Sequence, residues 1–389
     1  MKNNDPVVIL SAKRTPMGNF GGYFKETAAP VLGGQAIAAA MNEAGVEKID
    51  QVYMGCVLSA GLGQAPARQA ALAAKLPDET PCITLNKMCG SGMAAIMMAR
   101  RDILSGCADT VIAGGMENMS RAPYLLPNAR FGYRFGDQTA VDHMMLDGLI
   151  NAYEPKESMG KLAELCARKI KITREQQDAF AIASCNRALE ATKKGYFFAE
   201  ISPITVHDTL IKEDEGIQKI NIEKISTLKP AFSPTGTITA ANASSISDGA
   251  AALVLTRESL AKKNNTKIMG RIIDDATVAQ APEWFSTAPI AAIEKLLKKI
   301  NWTVDQVDLF EINEAFAVVT LAAMKLLAIP FDKININGGA CILGHPIGAS
   351  GARIVVTLIH ALKRLNKKRG IAALCIGGGE ATAVAVEMN

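Results

Sequence analysis

The strongest constraint on this chain is that it repeats its own plan at long range. Ile49-Asp50-Gln51-Val52 leads to Gly55, and Val307-Asp308-Leu309-Phe310 leads to Asn313, 258 residues further on. Ser91-Gly92 opens a helical stretch, and Ser350-Gly351 opens another 259 residues later. Each stretch runs on to an apolar strand ending in glycines, Val111 to Gly115 and Ala372 to Gly378. Two offsets that agree within one residue imply duplicated α/β halves.

Pro6 to Ala12 reads as a strand buried on both faces, since β-branched residues run there without polar alternation. Residues 31–44 read as a helix closed by Gly45 in the left-handed region. Gln51 to Val57 and Cys107 to Ala113 read as further strands, and the alternation predicts a largely parallel sheet covered on both faces. Residues 118–246 differ in character, with loops rich in Pro, Gly and Arg. A helix follows, opened by the capping box Thr173-Arg174-Glu175-Gln176 and ended at Gly195. Ala179, Ile182, Ala183 and Leu189 form its expected apolar face. The stretch reads as an inserted lid, a place where substrate contacts commonly sit.

Composition narrows the function classes. The 42 Lys and Arg against 38 Asp and Glu leave a net charge of +4, too even a balance to predict a nucleic-acid or membrane partner. Hydrophobic residues at 49% and charged residues at 21% describe a folded chain and exclude disorder. Val7 to Leu10 is too short for a secretion signal, and Ala315 to Ile329 is too short for a membrane span and carries Lys325. The expected location is therefore cytoplasmic. Eight cysteines lie scattered without a CxxC pair, a pattern of buried thiols or nucleophiles rather than disulfides.

Four junctions carry residues with chemistry. Cys89 lies where the apolar Ile83-Thr84-Leu85 gives way to a helix. Free amides and the dipole there favour a thiolate, although a structural cysteine in a glycine turn fits the same residues. His345, in the glycine-rich run Asn337 to Gly351, also precedes a helix. That setting lowers an imidazole's pKa and suits it to take a proton from a thiol. The glycines equally suit a phosphate, but no P-loop pattern occurs. Cys375 ends a buried strand against Gly377-Gly378-Gly379. Ligands of open α/β sheets sit at such strand ends; a core cysteine before a turn is the plain alternative. Asn313 either caps the apolar helix that follows it or orients a water. At equivalent junctions of repeated halves, these residues can converge on one cleft. Paired metal-ligand spacing is missing, as is the G-x-S-x-G elbow of a serine hydrolase.

Over nearly its whole length the chain resembles the thiolase family. The likeness is carried by Arg14 to Gly22, Gly114 to Ser120, Asn242 to Ala251, Asn313 to Phe316, Gly344 to Gly348 and Cys375 to Gly379. It implies an α/β thiolase fold of two duplicated βαβαβ-type halves packed about a pseudo-twofold axis. The layers would run αβαβα, with an inserted loop domain. The implied division is an N-terminal half at 1–117 completed by 247–268, an insert at 118–246 and a C-terminal half at 269–389.

The resemblance further implies ping-pong acyl transfer on coenzyme A thioesters: a reversible Claisen condensation of two acetyl-CoA to acetoacetyl-CoA plus CoA. Cys89 matches the nucleophile, His345 the base that activates it, and Cys375 the acid/base thiol. His345 and a water on Asn313 would serve one oxyanion, and the backbone amides of Cys89 and Gly377 the other. Met159, Phe232, Ser244 and Phe316 match positions around the coenzyme A and acyl group. No metal and no permanent cofactor are implied, since coenzyme A enters as substrate and leaves as product. A homotetramer, built as a dimer of dimers, is implied, with Ser120 to Asp137 where its tetramer-forming hairpin falls.

Three departures stand out. Ser158 replaces the histidine of short-chain members, and Glu380-Ala381 follows the glycines in place of Met-Gly or Gln-Gly. Glu380 is expected to alter the cleft edge without abolishing chemistry. Ile217 stands where the potassium-binding branch has a tyrosine, so potassium is not predicted. Competing readings are a broader-chain 3-ketoacyl-CoA thiolase of fatty-acid degradation, a ketoacyl synthase-like condensing enzyme and a non-catalytic acyl-CoA binder.

Overall fold

The computed structural model describes residues 5–389. Strands β1 (Val7–Arg14), β2 (Gln51–Gly55), β3 (Cys82–Leu85), β4 (Thr110–Asn118) and β5 (Ser247–Arg257) form one half of a continuous sheet. Strands β6 (Gly270–Ala279), β7 (Leu309–Ile312), β8 (Arg369–Ile376) and β9 (Glu380–Met388) form the other. The spatial order is β3-β2-β4-β5-β1-β6-β9-β8-β7, with the halves joined where β1 pairs with β6. Outward from that joint the halves match strand for strand. Ile334, in a single parallel bridge to Phe310, stands where the counterpart of β3 would lie.

Only β2–β3, β2–β4 and β7–β8 run parallel. The remaining pairs along this order are antiparallel, so the expectation of a largely parallel sheet does not hold. Between β8 and β9 lie only Gly377 to Gly379, too short a link for a crossover and open only to an antiparallel pair.

Helices α1 (Ala29–Ala44) and α2 (Pro66–Ala73) cover the outer face of the first half, and α3 (Ser91–Ser105) lies on its inner face. The insert contributes α4 (Met159–Ile170) and α5 (Arg174–Lys193). In the second half α6 (Ala288–Ile300), backed by α7 (Ala317–Leu327), lies outside. The short α8 (Ala340–Leu343) leads to α9 (Ile347–Arg364), which shares the central layer with α3. Successive side chains of a strand point to opposite faces, and here they enter different cores. In β1, Val7 and Ile9 join the central core, while Val8 and Leu10 join the outer one. In β9, Val384 and Val386 turn to the centre, and Ala383 and Ala385 to the opposite outer core. Cores on both faces explain why these strands lack polar alternation.

Helix α9 is buried along almost its whole length and is mostly apolar around its circumference, as a helix without a solvent face must be. Its buried polar groups form a stripe at Ser350, Arg353, Thr357 and His360, the spacing of one helical face. They contact His345, Glu311, Glu200 and the Ala12 carbonyl in turn.

The capping box of Thr173 and Gln176 is present on α5. Its buried face is not the expected one, however. Gln177, Asp178, Phe180, Ala181, Ser184, Cys185, Ala188 and Ala191 are buried, mostly small or polar apart from Phe180, while Ala179 is exposed and Ile182, Ala183 and Leu189 are half-buried. The small face wins because α5 lies against the glycine loop before α8. Gly338 fits under Ser184 and Ala188, and Ser184 Oγ donates to Glu314 at 2.8 Å.

The two central helices meet at their first turns. A Cβ on Gly92 would lie 2.8 Å from Ala352 N, and one on Gly351 would lie 2.4 Å from Met93 N. Gly351→Ala is expected to force this contact apart at a cost of about 3 kcal/mol, the upper end for overpacking because the obstacle is backbone. Denaturant unfolding of the variant beside the wild type checks it.

Candidate active site

The strand ends and helix starts gather the five sequence-derived catalytic candidates into two groups, Cys89, Gly377 and Cys375 in one and Asn313 and His345 in the other, at the meeting starts of α3 and α9. Cys89 lies between β3 and α3, and the backbone N–H groups of Gly377 and of Cys89 itself lie near its sulfur and favour its thiolate. Gly90 packs on Ile376: a Cβ there would come within 2.4 Å of the Ile376 Cδ1. Cys375 is buried near the end of β8, close enough to Cys89 to feel its charge. Asn313 follows β7, and its Nδ2 lies 3.4 Å from His345 Nδ1. Phe316 is the N-cap residue of α7, so Asn313 does not have the capping role its position also allowed.

His345 sits between α8 and α9, with its backbone N–H donating to the Ser245 carbonyl at 3.1 Å. Its Nδ1 is 2.6 Å from Ser350 Oγ. When that hydroxyl donates to the Pro346 carbonyl at 2.9 Å, its oxygen accepts from Nδ1–H. This tautomer leaves the lone pair on Nε2. Both Nε2 and the Asn313 Oδ1 are buried without a protein partner, whereas buried polar atoms are normally paired. In this tautomer both atoms are acceptors, and they suit the two hydrogens of a water.

Burial sets the electrostatics. It pushes the His345 imidazole down to about 3, and the positive charge of Arg353 adds to the effect. The ring is therefore neutral, as expected from sequence, but through burial and not through the helix start. Cys89 departs from expectation. Burial pushes its thiol up to about 11 against the pull of the two amides, with Glu117 adding a smaller upward push. Loss of hydration outweighs the helix end. Cys375 is likewise held well above an ordinary thiol, first by burial and then by the charge of Cys89. The resting site thus holds two thiols and a neutral imidazole.

Two buried carboxylates outside the sequence-derived set hold the loops. Glu117, in β4, accepts from the N–H groups of Val57 at 3.0 Å, Leu58 at 3.1 Å and Gly348 at 2.8 Å, the last in the first turn of α9. Burial raises this carboxyl to about 7. Glu314 accepts from Ser184 Oγ, Asn335 Nδ2 and the Cys341 N–H at 2.8, 2.9 and 3.0 Å, and so anchors the segment leading to His345. The signal for both was an acid inside an otherwise apolar or glycine-rich strand-end motif. Ser350 shows no sequence signal beyond its place near a helix start. Glu380, the first residue of β9, pairs with Lys87 of the Cys89 loop.

A cavity of about 670 Å³ opens beside the site, and its lining includes Met159, Phe232, Ser244 and Phe316. The rings of Phe232 and Phe316 meet edge to face with centroids 5.9 Å apart. Ser158 lines the same cavity and uses its hydroxyl to cap α4, accepting the Lys161 N–H at 3.4 Å. Cys89, His345, Cys375 and Asn313 are not part of this lining. The link is Met159, whose methyl lies 3.8 Å from the position of a Gly377 Cβ. Leu149 and Ile246 also line the cavity and pack on the same buried cluster as Met88 and Cys89. No helix among the described residues is long and apolar enough to cross a membrane.

Comparison with known proteins agrees with this arrangement. The family model of the thiolase N-terminal domain matches residues 7–259, and that of the thiolase C-terminal domain matches 266–388. A probable acetyl-CoA acetyltransferase of Dictyostelium discoideum is 49% identical, over 99% of this chain and 95% of its own. Acetyl-CoA acetyltransferase 2 of Arabidopsis thaliana is 48% identical, over 99% and 98%. The acetyl-CoA acetyltransferase ERG10 of Gibberella zeae, named as cytosolic, is 44% identical, over 100% and 99%. Among solved structures, the Acat5 thiolase of Ascaris suum in complex with coenzyme A superposes with a TM-score of 0.95. It is 41% identical, and the match covers 99% of this chain and 100% of that one. The chain belongs to the thiolase family.

The raised thiol makes a prediction. Because Cys89 titrates at about 11, its thiolate fraction grows about tenfold per pH unit below that value. Iodoacetamide labelling of Cys89 is therefore expected to quicken about tenfold per unit from pH 7 to 10, without an acid plateau. Mass spectrometry of the labelled peptide checks this; a rate level across that range would indicate a preformed thiolate.

Proposed function

We propose that this thiolase is an acetyl-CoA acetyltransferase that condenses two acetyl-CoA to acetoacetyl-CoA and CoA, and runs the reverse thiolysis. The observation that carries the reading is the Cys89 sulfur facing the Cys89 and Gly377 amides, with a second thiol, the buried Cys375, beside it.

In the proposed sequence His345 Nε2 takes the Cys89 proton as the sulfur attacks the thioester carbonyl. The two amides receive the developing oxyanion. The departing CoA sulfur takes a proton from Cys375, leaving acetyl-Cys89, an imidazolium and a Cys375 thiolate. That thiolate removes a proton from the methyl of the next acetyl-CoA, while the imidazolium and a water on Asn313 hold the enolate oxygen. The carbanion attacks acetyl-Cys89, acetoacetyl-CoA leaves, and the imidazolium returns its proton to Cys89. The cavity around Met159, Phe232, Ser244 and Phe316 would hold the pantetheine part, its apolar walls suiting a slender chain.

We also assign a homotetramer. Exposed Tyr124, Leu126, Phe131 and Phe135 on the segment Ser120 to Asp137 support it, because apolar side chains gathered on a loop suit a protein partner. A cytoplasmic location is the companion assignment, supported by the relative named as cytosolic.

Cys89→Ala is expected to abolish covalent acetylation by radiolabelled acetyl-CoA, and labelling at the wild-type rate would remove Cys89 as nucleophile. Cys375→Ser is expected to acetylate still but to lose condensation and thiolysis by at least a hundredfold, within the range for a proton-transfer group. Thiolysis of acetoacetyl-CoA beside a long-chain 3-ketoacyl-CoA tests the substrate. A strong preference for the four-carbon substrate is expected, and equal or faster long-chain turnover would point to a broad 3-ketoacyl-CoA thiolase.

A further inference from the structure

We propose that the Lys87–Glu380 ion pair is a clamp between the two loops that supply the oxyanion amides, making Lys87 and Glu380 positioning residues for acyl transfer at Cys89. The proposal rests on the reading of Cys89 as the acylated nucleophile. Lys87 is two residues before Cys89, and Glu380 is three residues after Gly377. The pair therefore spans the two loops whose backbone N–H groups face the Cys89 sulfur.

Each loop has ties of its own, and the ion pair joins the two. The Cys89 loop holds Met88 at a φ of +49°, a left-handed conformation that a residue with a side chain resists. Ties within it include the Met88 N–H to Asn86 Oδ1 at 3.0 Å, the Lys87 N–H to Ser91 Oγ at 2.8 Å, the Gly90 N–H to the Lys87 carbonyl at 3.0 Å and the Ser91 N–H to the Met88 carbonyl at 2.9 Å. The facing turn is three glycines, with φ of +96° at Gly378 and +83° at Gly379. Such a turn has no side chains of its own; the Gly379 carbonyl accepts the Gln280 N–H at 2.8 Å, and Gly378 lies against Tyr153. Contacts across the gap include the Gly377 amide near the sulfur, the Met88 methyl toward Gly377, Gly90 against Ile376, and the ion pair. Of these, only the ion pair is anchored by side chains at both ends.

The burial of the pair suits the task. The two side chains are 31% and 34% exposed, so their attraction is less screened than that of a fully exposed pair, yet salt can still reach them. Removing an oxyanion donor outright slows catalysis by about 10²–10³, so loosening one is expected to cost about tenfold.

The test is rapid-quench acetylation of Cys89 by radiolabelled acetyl-CoA, with steady-state KM and thermal midpoint measured alongside. Glu380→Gln and Lys87→Glu are each expected to slow acetylation about tenfold, leaving KM and the midpoint nearly unchanged. The double variant Lys87→Glu/Glu380→Lys is expected to recover most of the rate. At 1 M NaCl, where the screening length is about 3 Å, the wild type is expected to slow and Glu380→Gln is not. Single variants at the wild-type rate, or a double no faster than the singles, would overturn the clamp. So would a wild-type rate indifferent to salt, which needs no variant to fold. Wild-type enzyme that is not acetylated at Cys89 would sink the site reading and the clamp together. Normal acetylation with indifferent variants would remove the clamp alone.

Discussion

The rest of the structure depends on two helix starts that approach until backbone meets backbone. Gly92 of α3 faces the amide of Ala352, and Gly351 of α9 faces that of Met93. Each glycine thus lies against the residue that follows its counterpart, so the contact is reciprocal, as a duplicated chain packed about a pseudo-twofold would make it. Cys89 and His345 each sit two residues ahead of the helix in question. One packing contact therefore fixes where the thiol loop and the imidazole loop come to rest. The geometry of the candidate site is a by-product of how the halves pack, and the side chains near it have little freedom to differ in size.

The same packing dictates the charge state. A helix N-terminus favours a thiolate by its dipole and free amides, but bringing two such termini into the core removes the water that would solvate the charge. Burial is the larger effect for both Cys89 and His345, and it drives them in opposite directions. A resting thiolate–imidazolium pair would need its desolvation repaid by mutual attraction, which buried pairs often fail to supply. The site instead rests uncharged. Under the proposed chemistry, charge develops only when a thioester carbonyl is present to take it up and the Cys89 and Gly377 amides are there to receive it. Glu117, raised to about 7 while its oxygens accept three amides, tends the same way.

Much of this was legible in the sequence because it is local or periodic. The long-range repeat announced two halves, the Thr173 capping box marked the start of α5, and the strand-to-helix and strand-to-turn junctions pointed to Cys89, His345, Cys375 and Asn313 as candidates. What escaped is non-local. Apolar runs do not encode strand direction, so the antiparallel pairs were missed. The buried face of α5 was misread because a hydrophobic pattern presumes an apolar neighbour, and the neighbour is a glycine loop beside Glu314. Glu117 meets Gly348 at a separation of 231 residues, and Lys87 meets Glu380 at 293. Glu380 stood out in sequence only as a departure from the family pattern. The pKa shifts escaped for a related reason: a helix start is written in neighbouring residues, and burial is not.

The separation between the large cavity and the thiols bears on the acyl group. The cavity does not itself reach Cys89; Met159 stands between, and Met88 approaches from the nucleophile loop. Their methyls lie 3.8 and 3.9 Å from where a Cβ on Gly377 would be. An acyl group on Cys89 whose oxygen lay on the Gly377 amide would have both methyls as neighbours. An acetyl group adds one methyl to that space, whereas a longer chain would have to displace one of the methionines or leave by the route the carrier occupies. Methionine is flexible enough to yield at a cost, so the wall would discriminate by degree and not absolutely. Residues with no part in proton transfer would then decide which thioesters react, and Met159 would both guide the carrier toward Cys89 and limit what the carrier brings.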